Sequence, residues 1–403
     1  MVVVLALTWS LRFSSAGALR RGAALFRPHL WRAVRVSRSS CEVGVRRGQR
    51  AREGWLRSQG SARRRLVALA RARARAPGAM ETHAAAPTPG EEAFEIYRGH
   101  WARPRAREAE KRVKEACRQA RALGAGAYHA LALRADGLAA ECWGDAAHGA
   151  APGEGVRDGP YAAVSAGASF SLALCRDGSV QCLGSNSSGQ APPAGLPGPF
   201  EAVSAGAMHA LGLRRDGTVQ CWGSDSHGQA PPEGRVGNFT MVSAGARHSL
   251  GLRKDGHIEC WGWNVYGQAP PDGVEGPFVV IAAGSHSSYG LRRNGSLVCW
   301  GRNAKGQAPS AGRPGPYTTV SAGGEHAIAL RKDGRIECWG SNMGGQAPSD
   351  LRGEENDFIA CECGLHFSMG LRRDGRVECW GRNEYDQAPP AGKAGPFGVL
   401  PNE

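Results

Sequence analysis

Residues 123–403 are predicted to form an all-β, seven-bladed propeller of short three-stranded blades, with room for a short fourth strand. Three observations carry the prediction. One unit recurs seven times at intervals of 39–41 residues, each copy holds three strand signals around a tight turn, and the C-terminal residues supply an opening strand that the first copy lacks. A helix over 105–122 is predicted to precede the ring, and before it a linker (81–104) and a basic, disordered or targeting segment (1–80).

The repeat is read from a Cys followed by Trp or Leu and then Gly, at Cys142, Cys182, Cys221, Cys260, Cys299, Cys338 and Cys379. Residues 199–232 show the unit well: PFEAVSAGAMHALGLRRDGTVQCWGSDSHGQAPP. Its strand signals are Phe200 to Gly206, His209 to Leu213, and Thr218 to Trp222, with Asp-Gly as the hairpin signal between the last two. A two-residue turn would place Leu213 opposite Gln220 and mix the two faces. A three-residue loop, Arg215-Asp216-Gly217, places Leu213 opposite Val219 and Leu211 opposite Cys221, which keeps one face apolar and is the register expected.

A meander this small cannot bury its own apolar face, so neighbouring units must stack, and a closed ring needs no caps. Residues 395–400 (Gly-Pro-Phe-Gly-Val-Leu) repeat the opening of a first strand, whereas the first unit has Arg118-Gln119-Ala120-Arg121 in that place. The strand at 396–400 is therefore expected to complete the first blade.

Charge divides the chain. Of 50 Lys and Arg, 18 lie in residues 1–80, all Arg, against Glu42 and Glu53 alone; that segment carries +16 and the rest of the chain −2. The basic pI thus belongs to the leader and is no signature of a nucleic-acid-binding ring. The Arg-, Ser- and Ala-rich composition suits an organelle transit peptide, for a mitochondrion or plastid. Other readings are a secretory signal over Val2 to Leu11, an inert extension before Met80, or a basic tail at 62–76 holding nucleic acid in the nucleus; a cytoplasmic location is the remaining alternative. Sequons at Asn186, Asn238 and Asn294 would serve secretion. With no apolar run of 18 residues, no spanning helix is expected. Residues 105–122 lack Gly and Pro and pair Glu110 with Lys114 at i,i+4, hence the helix.

Val-Ser-Ala-Gly-x-x-His, Asp-Gly and Trp-Gly-x-Asn-x-x-Gly-Gln, the last seen as Trp261 to Gln268, resemble the repeat of the regulator of chromosome condensation superfamily. The 39-residue period is closer to the short-blade, beta-lactamase inhibitory protein type, a seven-bladed propeller. The resemblance covers about residues 122–400. It implies a fold shared by exchange factors, a photoreceptor, inhibitors and ubiquitin-ligase appendages, so it does not by itself choose a function. The photoreceptor type carries its light-absorbing Trp after the Ala-Gly turn, where this chain has Ala-Met, Ala-Arg or Gly-Glu. An exchange factor of the family works through a wedge inserted in a blade, and these blades have no long insertion.

The repeated Cys are read as small packing residues, and Cys361 and Cys363 as replacements in Val-Ser-Ala-Gly rather than a metal fragment with His366. His129, His209, His248 and His326 are read as structural, and the repeated Trp as wedges between blades. No nucleophile elbow, Walker loop, HExxH or carboxylate pair is present. No catalytic residue, metal or cofactor is therefore expected; the chain reads as a non-enzymatic scaffold for a protein partner. The alternative is a nuclear regulator contacting a GTPase or chromatin.

Two surfaces remain as candidates. The hairpin loops on one face carry a basic rim, Arg214, Arg215, Arg253, Lys254, Arg292, Arg293, Arg331, Lys332, Arg372 and Arg373, which would steer an acidic partner unless each hairpin's Asp neutralises its Arg. The opposite face varies between copies at Tyr128, Met208, Arg247, His286, Glu325 and His366, and at Tyr266, Lys305, Met343 and Tyr385. Variable aromatic and Met residues on a repeated frame make this the first choice for a protein interface.

Overall fold

The computed structural model describes residues 107–108, 110–147, 149–151, 157–349 and 357–398. The segments 1–80 and 81–104, the connection 350–356 and residues 399–400 of the expected closing strand lie outside these. Seven antiparallel sheets follow one another along the chain, each a meander paired in sequence order. They span residues 123–144, 161–184, 200–223, 239–262, 278–301, 317–340 and 358–381, and are numbered blades 1 to 7.

Blade 3 shows why the unit folds as it does. Its strands are Phe200–Ala205, His209–Arg214 and Val219–Gly223. Leu213 faces Val219 and Leu211 faces Cys221, the register of the three-residue loop. Gly217 closes that loop at φ +80°, a conformation that side chains with a Cβ resist. Asp216 accepts the Thr218 N–H at 2.9 Å, so the hairpin Asp is engaged with the backbone. The first strand carries a feature the repeat text did not announce. Phe200 pairs with Arg214 and Ala202 with Leu213, so a bulge falls directly after the aromatic. The same shift recurs in blades 2, 4, 5, 6 and 7.

The fourth strand is vestigial. A single antiparallel bridge, such as Val219 with Arg235, stands for it in blades 2, 3, 4, 5 and 7. In blade 1, the two residues Arg157–Asp158 pair with Ala139–Gly144.

Blade 1 joins the two ends of the ring. Its inner strand proper is only Leu123–Ala125, and Phe397 bridges Arg134 just as Phe200 meets Arg214 in blade 3. The Gly398 N–H donates to Leu133 O at 3.0 Å and the Ala135 N–H to Pro396 O at 3.0 Å. Blade 7 touches blade 1 directly through the Leu365 N–H on Gly126 O, 3.0 Å.

Blades adhere through three repeated devices. Side chains of one blade pack on the next, as Leu211, Leu213 and Val219 do on Phe239, Val242 and Trp261, each buried side chain contributing about 1.5–3 kcal/mol. Each repeat Trp donates its indole N–H to the Gln carbonyl within the connection that leads into its blade, for example Trp222 to Gln190 O (3.0 Å) and, across the closure, Trp143 to Gln387 O (3.1 Å). On the inner strands, Ser165, Ser204, Ser243 and Ser321 each accept the main-chain N–H of the following blade at 2.9–3.0 Å.

Residues 110–120 are helical (α1), inside the expected 105–122. Val113 and Cys117 pack against the core cluster that includes the inner-strand residues Val280, Ala282 and Val320, and Ala116 belongs to the cluster of Cys361 and Cys363. The helix therefore uses its thin apolar side on the mouth of the central channel at the hairpin end, where Glu110 lies 3.9 Å from Arg293. Among the described residues, no helix is long and apolar enough to cross a membrane.

Candidate interaction site

Strand order sends every hairpin loop to one face and every Gly-x-x-His turn to the other. On the hairpin face, the first cation of each pair turns toward an aromatic ring of its own blade, and all but the exposed Arg292 are at least half-buried. Arg214, Arg253, Arg292, Arg331 and Arg372 lie over the rings of Phe200, Phe239, Phe278, Tyr317 and Phe358, 4.5–5.9 Å from the centroids. Their guanidinium groups reach the third strand, Arg214 to Gln220, Arg253 to Glu259, Arg331 to Glu337 and Arg372 to Glu378. Hairpin Asp residues mostly cap backbone N–H groups, and Asp333 also lies 3.7 Å from Arg331. The second cation points outward: Arg215, Lys254, Arg293 and Arg373 are exposed and Lys332 half-buried. Helix α1, with its flanking residues 107–121 at +3, lies in the middle of this face.

The opposite face gathers apolar surface. Of the eight exposed large hydrophobic residues described, six stand there: Tyr128, Met208, Val265, Tyr266, Met343 and Tyr385. Tyr128 and Tyr385 meet edge to face at 5.2 Å across the ring closure. The densest cluster surrounds Trp263, whose ring lies 5.4 Å from both Tyr266 and His286 and 6.2 Å from His227. Arg247 sits over Trp263 at 5.8 Å, and Arg302 over Tyr266 at 5.5 Å while pairing with Glu325 at 3.3 Å. Burial first, then Arg302 and Arg247, hold the His286 ring below its ordinary pKa, which favours the neutral ring in its edge-to-face contacts with Trp263 and Tyr266. The structure thus joins four of the sequence candidates, Arg247, Tyr266, His286 and Glu325, into one patch. Met208, Lys305 and Met343 are exposed on separate loops, and half-buried His366 lies toward Arg382, which with burial lowers its pKa.

Trp263 and Arg302 were not among the sequence candidates. Trp263 had a signal: it is the one Trp in residues 123–403 outside the repeat position. Arg302 had none, since the position holds Asp, Ser or Trp in five other copies and Arg again in the seventh, Arg382.

The buried groups with chemical potential are occupied by structure. His129, His209, His248 and His326 are at most 1% exposed. Each Nε2 meets a Ser hydroxyl of the next blade, Ser171, Ser249, Ser288 or Ser368, at 2.8–2.9 Å. Those hydroxyls donate onward to carbonyl oxygens at 2.9–3.0 Å, which makes the imidazole the donor and leaves no activated nucleophile. Burial pushes the repeat thiols Cys221, Cys260, Cys299, Cys338 and Cys379 up to about 12, away from reactivity. Cys361 and Cys363 are buried too, and among the described residues no group of three His, Cys, Asp or Glu could hold a metal ion.

The model of the regulator of chromosome condensation (RCC1) repeat matches residues 161–190, 200–229, 240–268, 278–307, 317–346 and 359–387, one match in each of blades 2 to 7. The chain is an RCC1-repeat propeller. Blade 1 completes this RCC1-type ring with a sequence divergent enough to escape the repeat model. Among curated proteins, none matches by sequence. Solved structures share the fold. The CRINKLY WD40 ectodomain of the Arabidopsis thaliana receptor kinase ACR4 is 23% identical with a TM-score of 0.53, covering 67% of this chain and 98% of its own. Prp20p from Saccharomyces cerevisiae is 20% identical at 0.51, over 64% and 82%. The yeast RCC1 (Prp20) structure with Kap60 is 19% identical at 0.50, over 64% and 80%. At such identities the likeness speaks for the RCC1 architecture alone.

Proposed function

We propose that this RCC1-repeat propeller is a non-enzymatic scaffold that docks a protein partner on its Gly-x-x-His face. The observation that carries this reading is the concentration of exposed aromatic and aliphatic surface there, around exposed Tyr266 and half-buried Trp263. Exposed apolar groups flanked by Arg are the composition of interface cores, and Trp, Tyr and Arg dominate measured hot spots. A partner captured by the full chain tests it through quantitative binding of variants. Trp263→Ala with Tyr266→Ala should weaken binding about 100-fold or more, close to 3 kcal/mol. Arg215→Glu with Lys254→Glu on the other face should leave it unchanged. The reverse pattern would overturn the assignment of the face.

The second reading, a nuclear regulator with an acidic partner, is favoured by the outward cations of the hairpin face. Prp20p is described as binding Gsp1p and histones, and yeast RCC1 as bound to Kap60. In this reading the rim variants lose binding, in a salt-dependent manner. For the Arg-rich leader we favour delivery to an organelle. Residues 1–80 fused to a fluorescent reporter should be imported and cleaved; nuclear retention would replace this by the tail reading, and glycosidase-sensitive modification by secretion.

A further inference from the structure

The seven inner strands surround a channel with a cavity of about 720 Å³. Helix α1 covers it at the hairpin end. At the other end it is framed by Ala127, Ala168, Ala207, Ala246, Ser285 and Leu365, most of them small. The position that supplies the Ser belt reads Gly124, Ser165, Ser204, Ser243, Ala282, Ser321 and Glu362 around the ring. Six blades keep it small and neutral. Blade 7 alone places a carboxyl there, and it lines the cavity.

Nothing in the belt requires that carboxyl. Four blades do the same main-chain work with a hydroxyl, and Ser321 already accepts the Cys363 N–H at 2.9 Å. Burial raises the pKa of Glu362 to about 8, opposed only by a hydrogen bond with Ser321, with no cation compensating. The other titratable groups lining the cavity are Lys114, Cys117, Arg118, Arg121 and Cys363. Lys114 and Arg118 are paired within the helix, to Glu110 (3.3 Å) and Glu115, and Arg121 reaches Glu201 O at 3.5 Å. An acid enclosed without a cation beside it costs stability, so its presence among inner-strand residues that are otherwise neutral points to a ligand that supplies the charge.

We propose that the channel binds a small organic cation, an alkylamine or alkylguanidine whose charged head pairs with Glu362 and whose alkyl part lies among the channel's alanine side chains. The volume lies in the range of small-molecule sites. A metal ion is the poorer occupant, because the cavity wall offers one carboxylate and no second acid. An anion is poorer still, since Lys114 and Arg118 already hold glutamates and Arg121 turns to the Glu201 carbonyl. Pairing requires the ionised carboxylate, so near neutral pH the acid's proton passes to buffer as the cation binds.

Calorimetric titration of the full chain at pH 7 with butylamine, butylguanidine and the uncharged control butanol tests this. One cation should bind per chain, with up to one proton released, read from the dependence of the heat on the buffer's ionisation enthalpy. Binding should fall at least tenfold for butanol, and likewise for the cations in Glu362→Gln. Glu362→Ser, which installs the residue of four other blades and so suits the fold, should lose binding equally. Absence of cation binding at millimolar concentration, or binding undiminished in both variants, would overturn the proposal.

Discussion

On acidification from pH 7 to pH 4, the propeller is expected to lose on the order of 10 kcal/mol of stability, enough to unfold a typical domain before pH 4 is reached. The source is the four buried histidines. Burial holds His129, His209 and His326 at about 4 and His248 at about 3, against 6.5 for an exposed ring. Unfolded rings therefore take up protons near pH 6.5 while folded ones do not. The stability they contribute is complete above pH 6.5 and drains away as pH falls toward 4. At 1.36 kcal/mol per pH unit, each ring accounts for about 3 kcal/mol.

The repeat itself supplies the control. Wherever the second strand starts with His, the next blade offers Ser: His129 with Ser171, His209 with Ser249, His248 with Ser288, His326 with Ser368. Where it starts with Phe170, Ser287 or Phe367, the next blade offers Ala210, Ala327 or Ala130 at the equivalent place. Phe170, Ala210, Phe367 and Ala130 are all fully buried, so Phe with Ala is a native solution to the same joint. Replacing all four His by Phe and their Ser partners by Ala should retain the fold and flatten the pH 4 to 6.5 slope. Urea denaturation followed by circular dichroism at stepped pH measures it. An unchanged slope in the swapped variant would place the acid sensitivity elsewhere. His209→Phe alone should cost more than the double swap with Ser249→Ala, because the larger ring meets a hydroxyl it cannot bond.

This coupling shows what a repeat sequence discloses and what it hides. Hairpin register was legible because period-two alternation leaves one pairing that keeps Leu211, Leu213, Val219 and Cys221 on one face. The ring closure was legible because Phe397 repeats a word missing from the first unit. The His–Ser joints were present as covariation between copies, but only inter-blade geometry gives that covariation meaning. Other features arise from contacts between elements distant in sequence. The hairpin arginines look like a rim in the text; the bulge after each aromatic turns that ring beneath Arg214, Arg253 or Arg372, and the opposite strand supplies Glu or Gln. Helix α1 was legible as a helix, while its seat across the channel depends on Val113, Ala116 and Cys117 meeting inner-strand residues up to 250 positions away. Glu362 reads in the sequence as one more polar residue at the Ser position of the repeat, and only the ring geometry turns that position into the channel.

Phe397→Ala is expected to cost about 3–5 kcal/mol, the range for emptying a buried aromatic site. It should also change how the ring opens. Phe397 is 3% exposed and packs with Leu123, Ala132, Leu371 and Val377, residues of the first and last blades. Its main-chain N–H donates to Gly375 O at 2.9 Å, so this short segment ties blade 7 to blade 1. Phe200→Ala removes the equivalent ring from blade 3 and should cost a similar amount, yet the strand Phe200–Ala205 stays continuous there. In blade 1 the inner strand is split between Leu123–Ala125 and the C-terminal residues, so nothing but side-chain packing and a few hydrogen bonds holds the halves in register. Hydrogen exchange should therefore separate the two variants. In Phe397→Ala, amides of residues 123–144 and 358–381 should lose protection ahead of those in 239–262, the opposite side of the ring acting as the reference. In Phe200→Ala the loss should be shared, because the closure is intact. Equal protection patterns in the two variants would mean that the ring is held shut by its blade-to-blade contacts alone and that Phe397 contributes no more than its own burial.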